Sequence, residues 1–373
     1  MSQERITQKQ AVCIIAMFQL GSSLVLGISS ESKQDAWIAV IAAFAGILPV
    51  LYVYTRLMNR FPGKDLFEIS LTLFGRVAGR IVIALYAWYA LHLGSLVLRD
   101  FSEFIDVIVF KTMPQTITLL TGVLLAMWAA KRGVEVLGRW SSVTLPIVLI
   151  LVAAVTLLLA KDMKPFYLLP VGENLSKVPK DTLSTFAFPL GESVVLLLAV
   201  MGSLKPGVKP GRTLLYGMLI GMGTLLVSLL RNTLTLGFPV HNDKWFPSYD
   251  AASIIIVGSF ISRIENVVGA NFLLAGFVKV SVCVLAASKG VARLAGAPDY
   301  RAYVAPIGLL MAAMAEILYT SIMEMFDFLN IYPYYAIPFQ LILPVALCIT
   351  AEIRFLVKDK KEKGGAPDAE PAG

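Results

Sequence analysis

The sequence predicts an all-α membrane protein of ten transmembrane helices, built as two inverted halves of five. Three observations predict it. The 373 residues are 57% hydrophobic and only 15% charged, with mean hydropathy +0.75; soluble domains run about 45–50% apolar and about 25% charged. Ten apolar runs are each long enough to cross a bilayer. The first and sixth of these runs carry helix-breaking residues, and five intervening crossings make them enter from opposite sides.

Residues 1–9 are polar and form a short N-terminus with Arg5 and Lys9. Span one covers about 10–29 and holds Gly21-Ser22-Ser23 and then Gly27. No small-residue cleavage site follows it, so it reads as a span rather than a signal peptide. Span two, about 36–56, opens on Asp35-Ala36-Trp37-Ile38, where Asp35 is placed to cap the helix and Trp37 to sit at the interface. Glu68 to Phe74-Gly75 predicts a short helix with a glycine stop. Span three follows at about 81–99 and is able to continue past Arg99, Asp100 and Glu103. Span four, about 114–130, opens on Pro114, and span five covers about 141–160. The first repeat is thus 10–160. A loop over 161–183 is long enough to have a role outside the membrane.

The second repeat, 184–356, begins with span six at about 184–203. It contains Phe188-Pro189-Leu190-Gly191-Glu192, where a proline, a glycine and an ionisable group fall within four residues. Span seven is about 213–236. Phe246-Pro247 opens an apolar stretch expected to lie on the outer surface as a short helix. Span eight, about 267–288, carries Lys279, and span nine, about 303–322, carries Glu316. The aromatic stretch from Phe326 to Tyr335 is expected to be an interfacial turn before span ten, about 336–356. The charged and small residues of 357–373 read as a disordered tail.

Ten crossings put both termini on one side. The terminal segments and the loops on that side carry 21 of the 32 Lys and Arg residues, against 10 in the opposite loops. The positive-inside rule therefore makes both termini cytoplasmic. Orientation explains the net charge of +7, so no nucleic-acid partner is expected. Cys13, Cys283 and Cys348 lie in apolar runs without metal-ligand spacing, and His92 and His241 are too far apart to form a cluster. No nucleophile–base pair, metal cluster or phosphate loop occurs at catalytic spacing, which leaves neither an enzyme nor a cofactor to expect.

Two breaks at corresponding positions point to a LeuT-like, amino-acid-permease architecture. Broken half-helices expose N–H groups able to hold a carboxylate and C=O groups able to hold an ammonium. Gly21, Ser22 and Ser23 are candidates for the carboxylate end. Phe188, Pro189 and Gly191 are candidates for the ammonium end. Glu192 holds the break open, binds an ammonium or takes a proton; the sequence leaves these three open. Lys279, a cation at membrane depth, needs a partner or a watery cavity. Sodium-coupled folds of this architecture place a cation between spans one and eight, so the Lys279 ammonium is a candidate cation surrogate or proton relay. Snorkelling toward Lys289 and Arg293 is the plainer alternative. Glu316 and His92 read as hydrogen-bonding residues between spans.

The order and spacing of several short motifs resemble the B subunit of spore-germination nutrient receptors. The motifs are Asp35-Ala36-Trp37-Ile38, Phe61-Pro62, Phe188-Pro189-Leu190-Gly191-Glu192 and Arg263-Ile264-Glu265, and the resemblance covers about 5–355. That family is a branch of the amino acid–polyamine–organocation superfamily. The resemblance implies a small-molecule germinant, typically an amino acid, bound between broken spans one and six. It also implies partnership with an A subunit and a lipoprotein C subunit in the spore inner membrane. A stand-alone, proton-coupled and sodium-independent amino-acid permease is the alternative reading.

Overall fold

The computed structural model describes residues 4–27, 31–109, 113–238, 245–255 and 263–364. The described residues are helical throughout, apart from connections and one isolated bridge pairing Ile6 with Leu204. Span one is two pieces, α1 (Gln8–Leu20) and α2 (Ser23–Leu26). Spans two to five are α3 (Ala36–Arg60), α4 (Leu66–Phe104), α5 (Gln115–Arg132) and α6 (Val134–Leu159). Span six is again two pieces, α7 (Val178–Thr185) and α8 (Val194–Ala199), and span seven is α9 (Pro210–Leu236). The short α10 (Pro247–Ser253) precedes span eight, α11 (Glu265–Ala295). Then come α12 (Arg301–Ile317), α13 (Ile322–Ile337) and α14 (Leu343–Gly364).

Among the described residues, seven helical stretches are long and apolar enough to cross a membrane on length and composition. Shorter helices occupy the predicted places of spans one, four and nine. Large apolar side chains face outward around the bundle, among them Ile41, Leu124, Val143, Leu157 and Ile331. In water such a surface would be a liability, whereas against lipid it is the requirement, so the chain is a multi-pass membrane protein. α11 is the central element: it packs on α4, α1, α5, α12, α8 and α6. α1 packs beside it and is held against α9 and α6.

Local chemistry explains several helix boundaries. Thr7 and Gln10 form a reciprocal capping box on α1, with Gln10 N–H donating to Thr7 Oγ1 at 3.3 Å and Thr7 N–H to Gln10 Oε1 at 2.9 Å. The expected glycine stop is Gly75, whose φ of 74° kinks α4 between its first turns and its membrane span. Residues 4 and 5 are tied in as well. The Glu4 carboxylate meets Arg301 at 2.8 Å and accepts from Val134 N–H at 2.9 Å, while Arg5 N–H donates to Glu135 at 2.9 Å.

Four expectations need correction. Asp35 does not cap α3; its carboxylate instead accepts from the N–H groups of Gly172 and Asn174 at 2.8 and 2.9 Å, pinning the loop after α6 across the end of the bundle. The segment opened by Pro247 is not a surface helix: α10 buries Ser248, Ala251 and Ala252 against α11, α9 and α2. The aromatic stretch from Phe326 to Tyr335 is no turn but most of α13. The charged tail continues α14 as far as Gly364; residues 365–373, like His241, lie outside the described residues.

Candidate functional site

Both interrupted spans break where the sequence places the breaks. α1 ends at Leu20, Gly21 takes φ 10° and ψ −121°, and α2 resumes for one turn before Gly27 at φ 77°. In span six, Phe188 leaves helical geometry at φ −134° and ψ 114°. Pro189 cannot donate a hydrogen bond there, so the chain passes through a wide turn (Phe186–Leu190) and a tight one (Gly191–Ser193) before α8.

Lys279 and Glu192 meet at these breaks. The Lys279 Nζ lies 2.6 Å from Glu192 Oε2, with both side chains buried. The same ammonium sits over the ring of Phe188 at 4.9 Å and that of Phe18 at 5.5 Å. Spans one, six and eight therefore converge on one cation. Gly21 is required by this crossing, because a Cβ on it would collide with Lys279 Cδ. The expected snorkelling of Lys279 does not occur; its side chain has no exposure.

Glu192 is the start of a buried polar chain. Tyr332 of α13 donates to Glu192 Oε1 at 2.8 Å and lies 3.0 Å from the Tyr89 hydroxyl of α4. Gln340 Nε2 donates to Tyr89 at 2.8 Å and to the Ala187 carbonyl at 2.8 Å, while Tyr54 donates to the Gln340 carbonyl. Gly191 lies directly under Gln340, where a Cβ would strike Oε1. The break in span six is thus held directly by Tyr332 of α13 and by Gln340 in the turn after it, and α3 and α4 brace these two through Tyr54 and Tyr89.

Beside Glu192 lies a small cavity. Asp100, Phe188, Glu192, Tyr319, Phe328 and Tyr332 contribute its wall, and its free space is about 20 Å³, room for a water or two. Asp100 is buried near Ser22, and no basic side chain among the described residues pairs with it. Lys279, Glu192 and Asp100 in their ionised forms sum to one negative charge, which a proton or a cation must offset in a low-dielectric site. A far roomier cavity of about 370 Å³ lies elsewhere, between α4, α5 and α11. It holds no charged group, and Ile117, Leu125 and Leu273 beside it face outward, so it is a lipid-side cleft and not the polar site.

Gly21, Phe188, Gly191, Glu192 and Lys279 come together, and Pro189 shapes the wall they share. Ser22 and Ser23 are buried with hydroxyls that find no partner. Glu316 accepts from Thr116 at 3.0 Å between α12 and α5, as an interhelical residue should. His92 does not bond between spans as expected; it packs by its ring, 5.0 Å from Tyr335 and 5.7 Å from Trp88, and Nδ1 has no partner. Sequence reasoning missed Tyr89, Asp100, Tyr332 and Gln340. The signal for α13 was present: Phe328, Tyr332, Tyr335 and Phe339 recur at helical spacing on one face.

Comparison with known proteins agrees with this geometry. The structure resembles Mhp1, a nucleobase-cation-symport-1 family transporter in a closed conformation with bromovinylhydantoin bound, with TM-score 0.68 and 12% identity over 89% of this chain and 75% of that one. It resembles MhsT in complex with L-phenylalanine equally, with TM-score 0.68 and 12% identity over 94% and 89%. The fold is therefore the LeuT-like transporter fold. In sequence, the chain is 26% identical to spore germination protein KB of Bacillus subtilis (strain 168), over 99% of this chain and all of the relative. It is 22% identical to spore germination protein YndE of the same organism, over 78% and 81%. A family model described as "Spore germination protein" matches residues 5–344, and the chain belongs to that family.

Proposed function

We propose that this chain is the germinant-sensing B-type subunit of a spore germination receptor. Its ligand is a small molecule, an amino acid, held between the breaks of spans one and six. The observation that carries the reading is a buried carboxylate, Asp100, that has no cationic partner among the described residues and faces Glu192, Phe188 and Tyr332 beside the Lys279–Glu192 pair; the cavity they line has room for a water or two here and widens to admit the ligand. An α-amino acid's ammonium is the cation that Asp100 lacks, and the aromatic wall adds cation–π attraction. Its carboxylate falls to Ser22, Ser23 and the backbone at Gly21. The bound L-phenylalanine of MhsT supports a ligand of this class in this fold.

In this reading the Lys279 ammonium occupies the place of a coupling cation, so the response does not need sodium. Binding favours the closed state, and an A subunit and a lipoprotein C subunit read the shift in the spore inner membrane. Both termini are cytoplasmic, and the halves 10–160 and 184–356 are the inverted repeats. Arg99 and Arg231, which lie in helices and are buried, leave the outer loops poorer still in positive charge.

The test is germination of spores carrying Glu192→Gln or Asp100→Asn. Both variants reach the membrane at wild-type levels and fail to respond to the amino acid; a normal response from either overturns the site. The hydrogen-bonded chain from Lys279 through Glu192 and Tyr332 to Tyr89 favours a second reading, a proton-coupled permease acting alone. Amino-acid uptake by the purified chain in vesicles, driven by a pH gradient, would establish that reading, whereas co-purification with A and C subunits and no uptake supports the receptor. Lys279→Ala should lose the response or make it depend on sodium.

A further inference from the structure

Arg231 is a third buried cation within the helices, and unlike Lys279 and Arg99 it meets no carboxylate among the described residues. It lies in the last turns of α9 with only 3% exposure. Among the described residues no carboxylate comes within ion-pair distance of it. Its Nε and Nη2 both donate to one oxygen, Asn232 Oδ1, at 3.1 and 2.8 Å. A guanidinium has five N–H donors, so three are left without an acceptor there. Burying a cation this way is costly unless something negative accompanies it.

The surroundings are those of a receptor for a small anion. Arg231, Ser248 and Asn271 share a small space of about 10 Å³ with Leu24, Val152, Val155 and Val268. That is room for one water-sized or monatomic species and excludes a carboxylate-bearing metabolite. Asn271 is 1% exposed, and its Oδ1 has no hydrogen-bond partner. Asn271 lines the same space, and its amide N–H₂ group supplies a further donor there. The valine walls keep water out and strengthen any charge interaction inside.

We propose that Arg231 and Asn271 bind a chloride-sized inorganic anion in this space. The site is distinct from the Lys279–Glu192 pair and reaches the break in span one by its own route. Asn232 Nδ2 donates to Ser248 Oγ at 3.0 Å, and Ser248 Oγ donates to the Leu24 carbonyl at 2.8 Å. An anion that fixes Arg231 thereby fixes Asn232, Ser248 and the α2 half-helix together. Anion occupancy and the conformation of the break are linked, each favouring the other.

The test is thermal unfolding of the purified full-length chain while sodium chloride replaces sodium gluconate at constant ionic strength. The melting temperature rises with chloride and saturates; Arg231→Gln abolishes the rise and Asn271→Leu moves the midpoint to higher chloride. A linear or absent effect in the wild-type chain overturns the proposal, as does an unchanged saturating rise in Arg231→Gln. Should Arg231→Gln fail to fold, Asn271→Leu decides, and a chloride midpoint equal to wild type overturns the site.

Discussion

Lys279 and Glu192 should be strongly coupled, and a double-mutant cycle measures the coupling. Lys279→Met and Glu192→Gln each remove one charge and strand the other in a site with essentially no exposure. Breaking a buried pair from one side costs about 3–5 kcal/mol, because the remaining charge is desolvated without compensation. With an unfolding entropy of about 2.1 cal/mol/K per residue, that loss corresponds to a fall of about 4–6 °C in melting temperature for a chain of this length. The double variant removes both charges, and the amide oxygen introduced by Glu192→Gln still accepts from Tyr332. It should recover to within about 2 kcal/mol of wild type, a coupling of about 4 kcal/mol or more. Thermal unfolding of the four proteins in one detergent gives the cycle. Additive losses, with the double variant the least stable, would mean that the two side chains do not hold each other and that their contact is incidental.

Three further outcomes follow from neighbouring contacts. Tyr332→Phe removes the hydroxyl that donates to Glu192 and should cost about 1.5–3 kcal/mol, the range for a hydrogen bond to a charged group, read as melting temperature beside a weakened germinant response. Gly21→Ala places a methyl against Lys279 Cδ; stability should fall by about 1–3 kcal/mol, and Gly21→Ala combined with Lys279→Ala, which removes Cδ, should lose less than the sum of the two. Asp35→Ala frees the N–H groups of Gly172 and Asn174, so trypsin should cut the loop at Lys177 faster than in wild type, while the Lys279–Glu192 coupling is unchanged.

The sequence was most legible where a residue is costly at membrane depth. Glu192, Lys279 and the Pro189–Gly191 pair stand out against apolar surroundings because lipid leaves few reasons to keep them. What it hid was the pairing. Lys279 and Glu192 are 87 positions apart, and nothing local says that one answers the other. Tyr332 was misplaced for a physical reason: aromatic residues suit both a membrane interface and the wall of a cation site, and only helical periodicity separates the two uses. Asp35 shows the same ambiguity at a helix start. An aspartate before a helix caps its own N–H groups or those of a loop folded back from elsewhere, and here it holds Gly172 and Asn174. Arg231 was passed over because it stands near the end of its span, where a long cation ordinarily reaches water; its burial emerges only from the packing of α10 over α9.

Ligand-induced stabilisation of the purified chain tests the proposed site most directly. Melting temperature is followed across a panel of amino acids, in sodium and in sodium-free buffer, for the wild-type chain and Asp100→Asn. A ligand that binds only the folded state raises it by mass action, and the rise grows with concentration. One amino acid, or a small group of them, should stabilise the wild-type chain equally with and without sodium and leave Asp100→Asn unmoved. Stabilisation that requires sodium, or that persists undiminished in Asp100→Asn, would contradict a site built from Asp100 beside the Lys279–Glu192 pair.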